Sequence, residues 1–117
     1  MSTSATPSFD VVIDDAKALV QALPIEPGRV RSKRLFTSAG LTVLGVAMDG
    51  GAIMHDHVAA VPILIIVVEG QAVLEVERKR VDLRVGSMVH VEGNVHHQVE
   101  AHEPTRFLLL LQASPLN

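Results

Sequence analysis

Cysteine is absent from the chain, which removes disulfides, thiolate metal ligands and a cysteine nucleophile together. Tryptophan and tyrosine are absent as well, leaving Phe9, Phe36 and Phe107 as the only members of that aromatic set. Positive charge is also scarce: 10 Lys and Arg stand against 13 Asp and Glu, for a net charge of −3 with neutral histidines. The two basic stretches, Arg29–Arg34 and Arg78–Arg80, are short. Without a broad basic field or stacking platforms, nucleic acid is not an expected partner. Residues 1–8 lack a basic segment followed by an apolar one, so they do not read as a secretory signal. The longest strongly apolar run, Val58–Val68, is too short to span a bilayer, and no membrane partner is expected. A cytoplasmic protein is the resulting expectation.

What is present suits one globular domain: 117 residues, 48% of them hydrophobic. Residues 1–28 read as a tail and a short amphipathic helix, and residues 29–117 as a β-barrel domain. In the first part Phe9–Ile13 has the composition of a short strand. Asp14 or Asp15 then offers an N-cap, and Ala16, Leu19, Val20 and Leu23 recur at helical spacing until Pro24. That helix is either a clamp packed on the domain or a contact with a second copy.

From Arg29 the pattern changes to short β-runs broken by turn residues: Ser38-Ala39-Gly40, Asp49-Gly50-Gly51, Glu69-Gly70, Gly86, Gly93-Asn94 and Glu103-Pro104. Arg78-Lys79-Arg80 reads as a solvated hairpin tip. About nine or ten short strands at regular spacing predict an all-β sandwich or barrel. Closing or covering the sheet edges favours a barrel or jelly roll.

All six histidines lie in the second half of the chain. On an unbroken strand, side chains at i and i+2 share a face, roughly 6–7 Å apart. His55 and His57 are so placed, and their imidazoles could converge on one ion at about 2.0–2.1 Å; Asp56 points the other way. Val95, His97, Val99 and Ala101 form an apolar parity, while His96, Gln98, Glu100 and His102 form a polar one. His97 is therefore the buried candidate and His96 the surface residue. A buried imidazole among valines needs a partner. His90 sits off the apolar parity of Val89 and Val91 and reads as structural, and His102 as exposed. Near these histidines, Ile53, Ile63, Ile65, Val67, Val95, Val99 and Leu109 are expected to face inward, as core or as the wall of a pocket for a small organic ligand.

Two stretches resemble a known family. Gly51-Ala-Ile-Met-His55-Asp-His57, ending in Val67-Val68-Glu69-Gly70, resembles the first motif of the small single-domain cupins. Gly86-Ser-Met-Val-His-Val-Glu-Gly-Asn94-Val-His-His97 resembles the second. The resemblance runs over about Leu41–Leu111. It implies an all-β double-stranded β-helix (a jelly-roll cupin barrel), a metal in the barrel mouth held by His55, His57 and His97, and a homodimer. The chain departs from the pattern at Ile63, where the family has a metal-binding glutamate. A set of three histidines and water suits Zn²⁺, and imidazoles also suit iron, nickel and copper, so the implied cofactor is one divalent transition metal.

Three functions follow from different weightings of these features. A metalloenzyme, such as a non-haem dioxygenase, would use the histidine-bound ion to activate water, oxygen or a chelating substrate. A binding or sensing module would hold a small ligand without chemistry, consistent with the missing glutamate. A scaffold would keep the histidines as remnants. No catalytic residue beyond the metal set stands out, and a homodimer is the expected assembly because Val61–Val68 and Phe107–Leu111 carry more apolar surface than one small barrel covers.

Overall fold

Alternation of apolar and polar residues from position 30 onward gives nine strands, ordered after one short helix in the computed structural model, which describes residues 8–112. The helix α1 is Ala16–Ala22. The strands are β1 Val30–Ser38, β2 Leu41–Met48, β3 Ile53–His57, β4 Ile63–Glu69, β5 Gln71–Val76, β6 Lys79–Arg84, β7 Met88–Val91, β8 His97–Ala101 and β9 Thr105–Gln112. They form two antiparallel sheets, a five-stranded one in the order β1-β2-β9-β4-β7 and a four-stranded one in the order β3-β8-β5-β6. Apart from the β1–β2 and β5–β6 hairpins, consecutive strands cross between the sheets, as in a double-stranded β-helix. No helix of the described residues is long and apolar enough to cross a membrane.

Antiparallel pairing aligns inward side chains into rows, because cross-strand partners share a face. Three such rows stack along each sheet, and in the five-stranded one the buried Met48–Thr105 pair lies below them. In the five-stranded sheet the lowest is Val46–Phe107–Val67, the middle Leu44–Leu109–Ile65–Val89, and the uppermost Thr42–Leu111–Ile63–Val91. In the four-stranded sheet the corresponding rows are Ala101–Ala72–Leu83, Met54–Val99–Leu74–Val81 and His57–His97–Val76–Lys79. The lower rows supply most of the fully buried side chains: Phe107, Ile65, Leu74, Leu83, Val46, Val67 and Val99. Burying a side chain of this kind stabilises the fold by about 1.5–3 kcal/mol.

The N-terminal segment differs from its expectation in one place. Residues 9–13 form no strand; Phe9 and Val11 are exposed and pair with no sheet edge. The helix forms as expected, with the Asp15 carboxylate accepting from the Ala18 N–H at 2.8 Å. It is anchored at its far end. Leu23 is buried against Gly45, where a Cβ would stand 2.6 Å from Leu23 Cδ1, so only glycine lets the helix end approach β2. Arg106 then locks this contact: Nε donates to the Leu23 carbonyl at 2.7 Å, and Nη1 donates to Glu69 at 2.8 Å. Of the two roles read for the helix, the clamp is the one these contacts build.

Candidate functional site

The histidines gather at the upper end of the four-stranded sheet, where β3 and β8 meet. His97 opens β8 on its inward parity and is 3% exposed. Its Nδ1 lies 3.0 Å from the Val95 carbonyl. A carbonyl only accepts, so Nδ1 carries the proton and the lone pair of the neutral ring sits on Nε2. Directly across the strand pair stands His57, its ring centroid 5.5 Å from that of His97 and its plane at 85°.

His55 is placed differently from its expectation. Met54 pairs with Val99 and His57 with His97, so three residues of β3 span the distance of two on β8. This is a β-bulge. The i, i+2 argument that put His55 and His57 on one face holds only on an unbroken strand. With the bulge between them, Met54 shares the inward side with His57, and His55 is exposed within the irregularity. Among the described residues, no three of His, Cys, Asp or Glu come together closely enough to hold a metal ion.

The surrounding residues follow the parity reading with one exception. Asp56 turns outward and its Oδ2 lies 3.0 Å from His96 Nδ1, both side chains being well exposed. His90 is exposed, with its Nδ1 3.9 Å from Glu92, and His102 is exposed. Ile63, Ile65, Val67, Val99 and Leu109 are buried in the core, and Val95 packs against it. Ile53 does not join them: it pairs with Glu100 on the outer face, and Ala52 takes the inward place before it. Ile63, the position at which the family resemblance implies a glutamate, is 3% exposed and part of the packing.

Between the free edges of β6 and β7 the two sheets part. The gap is a cleft of about 380 Å³ lined by Val76, Val81, Val89, Val91 and Val95, with Glu77, Lys79, His90 and Glu92 around them. Val76 is the cross-strand partner of His97, one strand away; neither histidine of the pair lines the cleft, and His97 borders the outer depression with Asp56, Glu77 and His96. Lys79 belongs to this lining, although Arg78-Lys79-Arg80 reads as a hairpin tip in the sequence. The turn is one step earlier, at Glu77 and Arg78, which both adopt positive φ (47° and 75°) without being glycine or asparagine. Such residues rarely take this conformation, which hides the turn from composition. Counting back from Leu83 and Val81 in steps of two identifies Lys79 as inward.

Two polar imidazoles and an apolar cleft can do two things chemically. They can anchor the polar end of a small molecule, or they can present two borderline nitrogen donors to a transition metal. His97 meets the requirement for the second role: its outer nitrogen is held by a backbone carbonyl, which fixes the tautomer that exposes Nε2.

Comparison with known proteins agrees with this architecture. The family model for the Cupin domain matches residues 45–111. A conserved protein of unknown function from Streptococcus pyogenes superposes with a TM-score of 0.76 at 19% identity, covering 96% of this chain and 100% of the other. A cupin superfamily protein from Desulfitobacterium hafniense DCB-2 gives 0.78 at 14% identity, covering 92% and 100%. KdgF from Halomonas sp. gives 0.68 at 25% identity, covering 76% and 83%. No curated protein matches the chain in sequence.

Proposed function

The chain belongs to the cupin family, and from that premise we propose that it binds a small organic molecule in the cleft between β6 and β7. The observation that carries the reading is the adjacency of apolar walls to the His57–His97 pair, joined through Val76. Valines would hold the body of the ligand, and the imidazoles would fix its polar end. Glu77, Lys79, His90 and Glu92 stand around the valines, and binding without chemistry is the simplest use of such a lining. The test is an NMR titration of the full chain with small acids, diketones and phenols. Shifts at the Val76, Val91 and Val95 amides support the reading; a set of ligands that moves only surface amides sinks it.

A second reading is favoured by the Nδ1 contact of His97 with Val95. Here His57 and His97 would hold one divalent transition metal (Zn, Fe, Ni or Cu), with His55 the third ligand that the family resemblance implies. The metal would supply Lewis-acid or oxygen chemistry beside the cleft. His57 and His97 would hold it, and the valine walls would orient an apolar substrate and exclude water. Elemental analysis of untagged protein and of the His97→Ala variant separates the readings: about one metal per chain, lost in the variant, supports the metal site.

We propose also that a second copy of the chain covers the outer face of the five-stranded sheet. That face carries half-buried Val43, Leu64, Ile66, Leu108 and Leu110, with exposed Met88 beside them. The outer face of the other sheet instead pairs Glu75 with Arg80 and Gln98, and Val73 with Asp82 and Glu100. An apolar face meeting itself across a two-fold axis is self-complementary. Light scattering checks it: a dimer is expected, and a monomer at micromolar concentration excludes it.

A further inference from the structure

The uppermost inward row of the four-stranded sheet reads His57–His97–Val76–Lys79 across four strands. Val76 is its one apolar member. On β6 the next two inward positions are Val81 and Leu83, the latter 1% exposed, so a third apolar residue would simply extend the wall. A lysine stands there instead, lining the cleft.

Its surroundings leave its charge available to a ligand. Among the described residues Lys79 forms no ion pair. Three other ionisable groups line the cleft: Glu77, His90 and Glu92. Glu92 stands by His90. Glu77 is shared with the outer depression that also contains Asp56, Arg78 and His96. Lys79 is exposed at the open rim of the cleft, across from Val76, where its ammonium can meet an entering anion in a charge-assisted bond.

We infer that Lys79 is a specificity-determining residue that makes the ligand of this cleft a small organic acid. The inference rests on the cleft being a ligand site, as proposed above. The carboxylate pairs with the Lys79 ammonium, the carbon skeleton lies over Val76 and against Val91 and Val95, and a second oxygen reaches the His57–His97 pair. His97 and Lys79 are two strand spacings apart, about 10 Å between backbones. Their side chains shorten that gap, so the fit is to a skeleton of roughly four to eight carbons with oxygen functions toward both ends.

The experiment is a titration of the full chain, followed by NMR, with C4–C8 2-oxo and 3-hydroxy carboxylates and the primary amide of each. The wild-type protein is expected to bind the best acid at least about tenfold tighter than its amide, as a charge-assisted contact implies. In Lys79→Met this preference falls to near unity through loss of acid affinity, and Lys79→Arg retains it. Equal binding of acid and amide by the wild type overturns the inference and leaves the cleft as a ligand site. A preference that survives in Lys79→Met assigns the anion to the histidine end and overturns it too. If neither acids nor amides shift Val76, Val91 or Val95, the cleft reading itself fails, and the inference with it.

Discussion

The two lower layers of the barrel and its mouth are built on the same strands by the same alternation, yet they are filled differently. Below, inward rows such as Val46–Phe107–Val67 and Met54–Val99–Leu74–Val81 contain only apolar side chains. At the mouth one sheet is still mainly apolar, with Leu111, Ile63 and Val91 beside Thr42 in its row, while the other places His57, His97 and Lys79 there. Apart from the bulge in β3, the strands continue from one region to the other, so the frame that holds the fold also aims the site. The lower rows hold the structure together with packing. The mouth can carry polar groups because those rows have already fixed its geometry.

The largest effect that would break this comparison is in the lowest layer. Phe107 is fully buried between Val46 and Val67. Phe107→Ala removes an aromatic ring from a site closed on both flanks and should cost about 3–5 kcal/mol. Urea unfolding measures this, with the slope of the transition unchanged. A loss under about 1 kcal/mol would mean that the lower layer relaxes around the gap and does not act as a rigid frame.

Much of this division is visible in the sequence. The alternation of Ile63-Ile65-Val67 and of Val95-His97-Val99 marks the inward faces, and the structure buries His97 and exposes His96 as their parities require. What parity cannot register is a change of register. The β3 bulge inserts one residue between Met54 and His57 and leaves no trace in residue type. The turn at Glu77-Arg78 is hidden for a related reason, since its positive φ angles fall on residues that do not advertise them. That misplaced turn conceals Lys79. Phe9–Ile13 fails in the opposite way: β-forming composition predicts a strand, but a strand needs an edge to pair with and none receives it.

An intermediate effect tests whether Ile63 belongs to the frame or to the site. It sits in the mouth row but is almost fully buried between Leu111 and Val91. Ile63→Glu puts a carboxyl among these side chains and should cost about 1–3 kcal/mol without metal. If the histidine pair is a metal site, the new carboxylate also supplies a ligand, and added Zn²⁺ or Ni²⁺ should recover that loss. Thermal unfolding with and without each metal gives both numbers. A loss that no metal relieves places Ile63 with the packing of the layers below.

The smallest effect on stability is expected at the histidine itself, and its smallness is the point. His97→Leu keeps the volume and loses one hydrogen bond to the Val95 carbonyl, a cost of about 1 kcal/mol. Val95 lines the open cleft, and a water entering there can replace the lost partner. Metal response should change far more. A ligand present at about one hundred times its Kd stabilises the folded state by about 2.7 kcal/mol. On the metal reading, wild-type protein should therefore melt higher with Ni²⁺ or Zn²⁺, and the His97→Leu variant should not. If the variant instead loses as much stability as Phe107→Ala, His97 is part of the frame, and the contrast between mouth and lower layers does not separate function from folding.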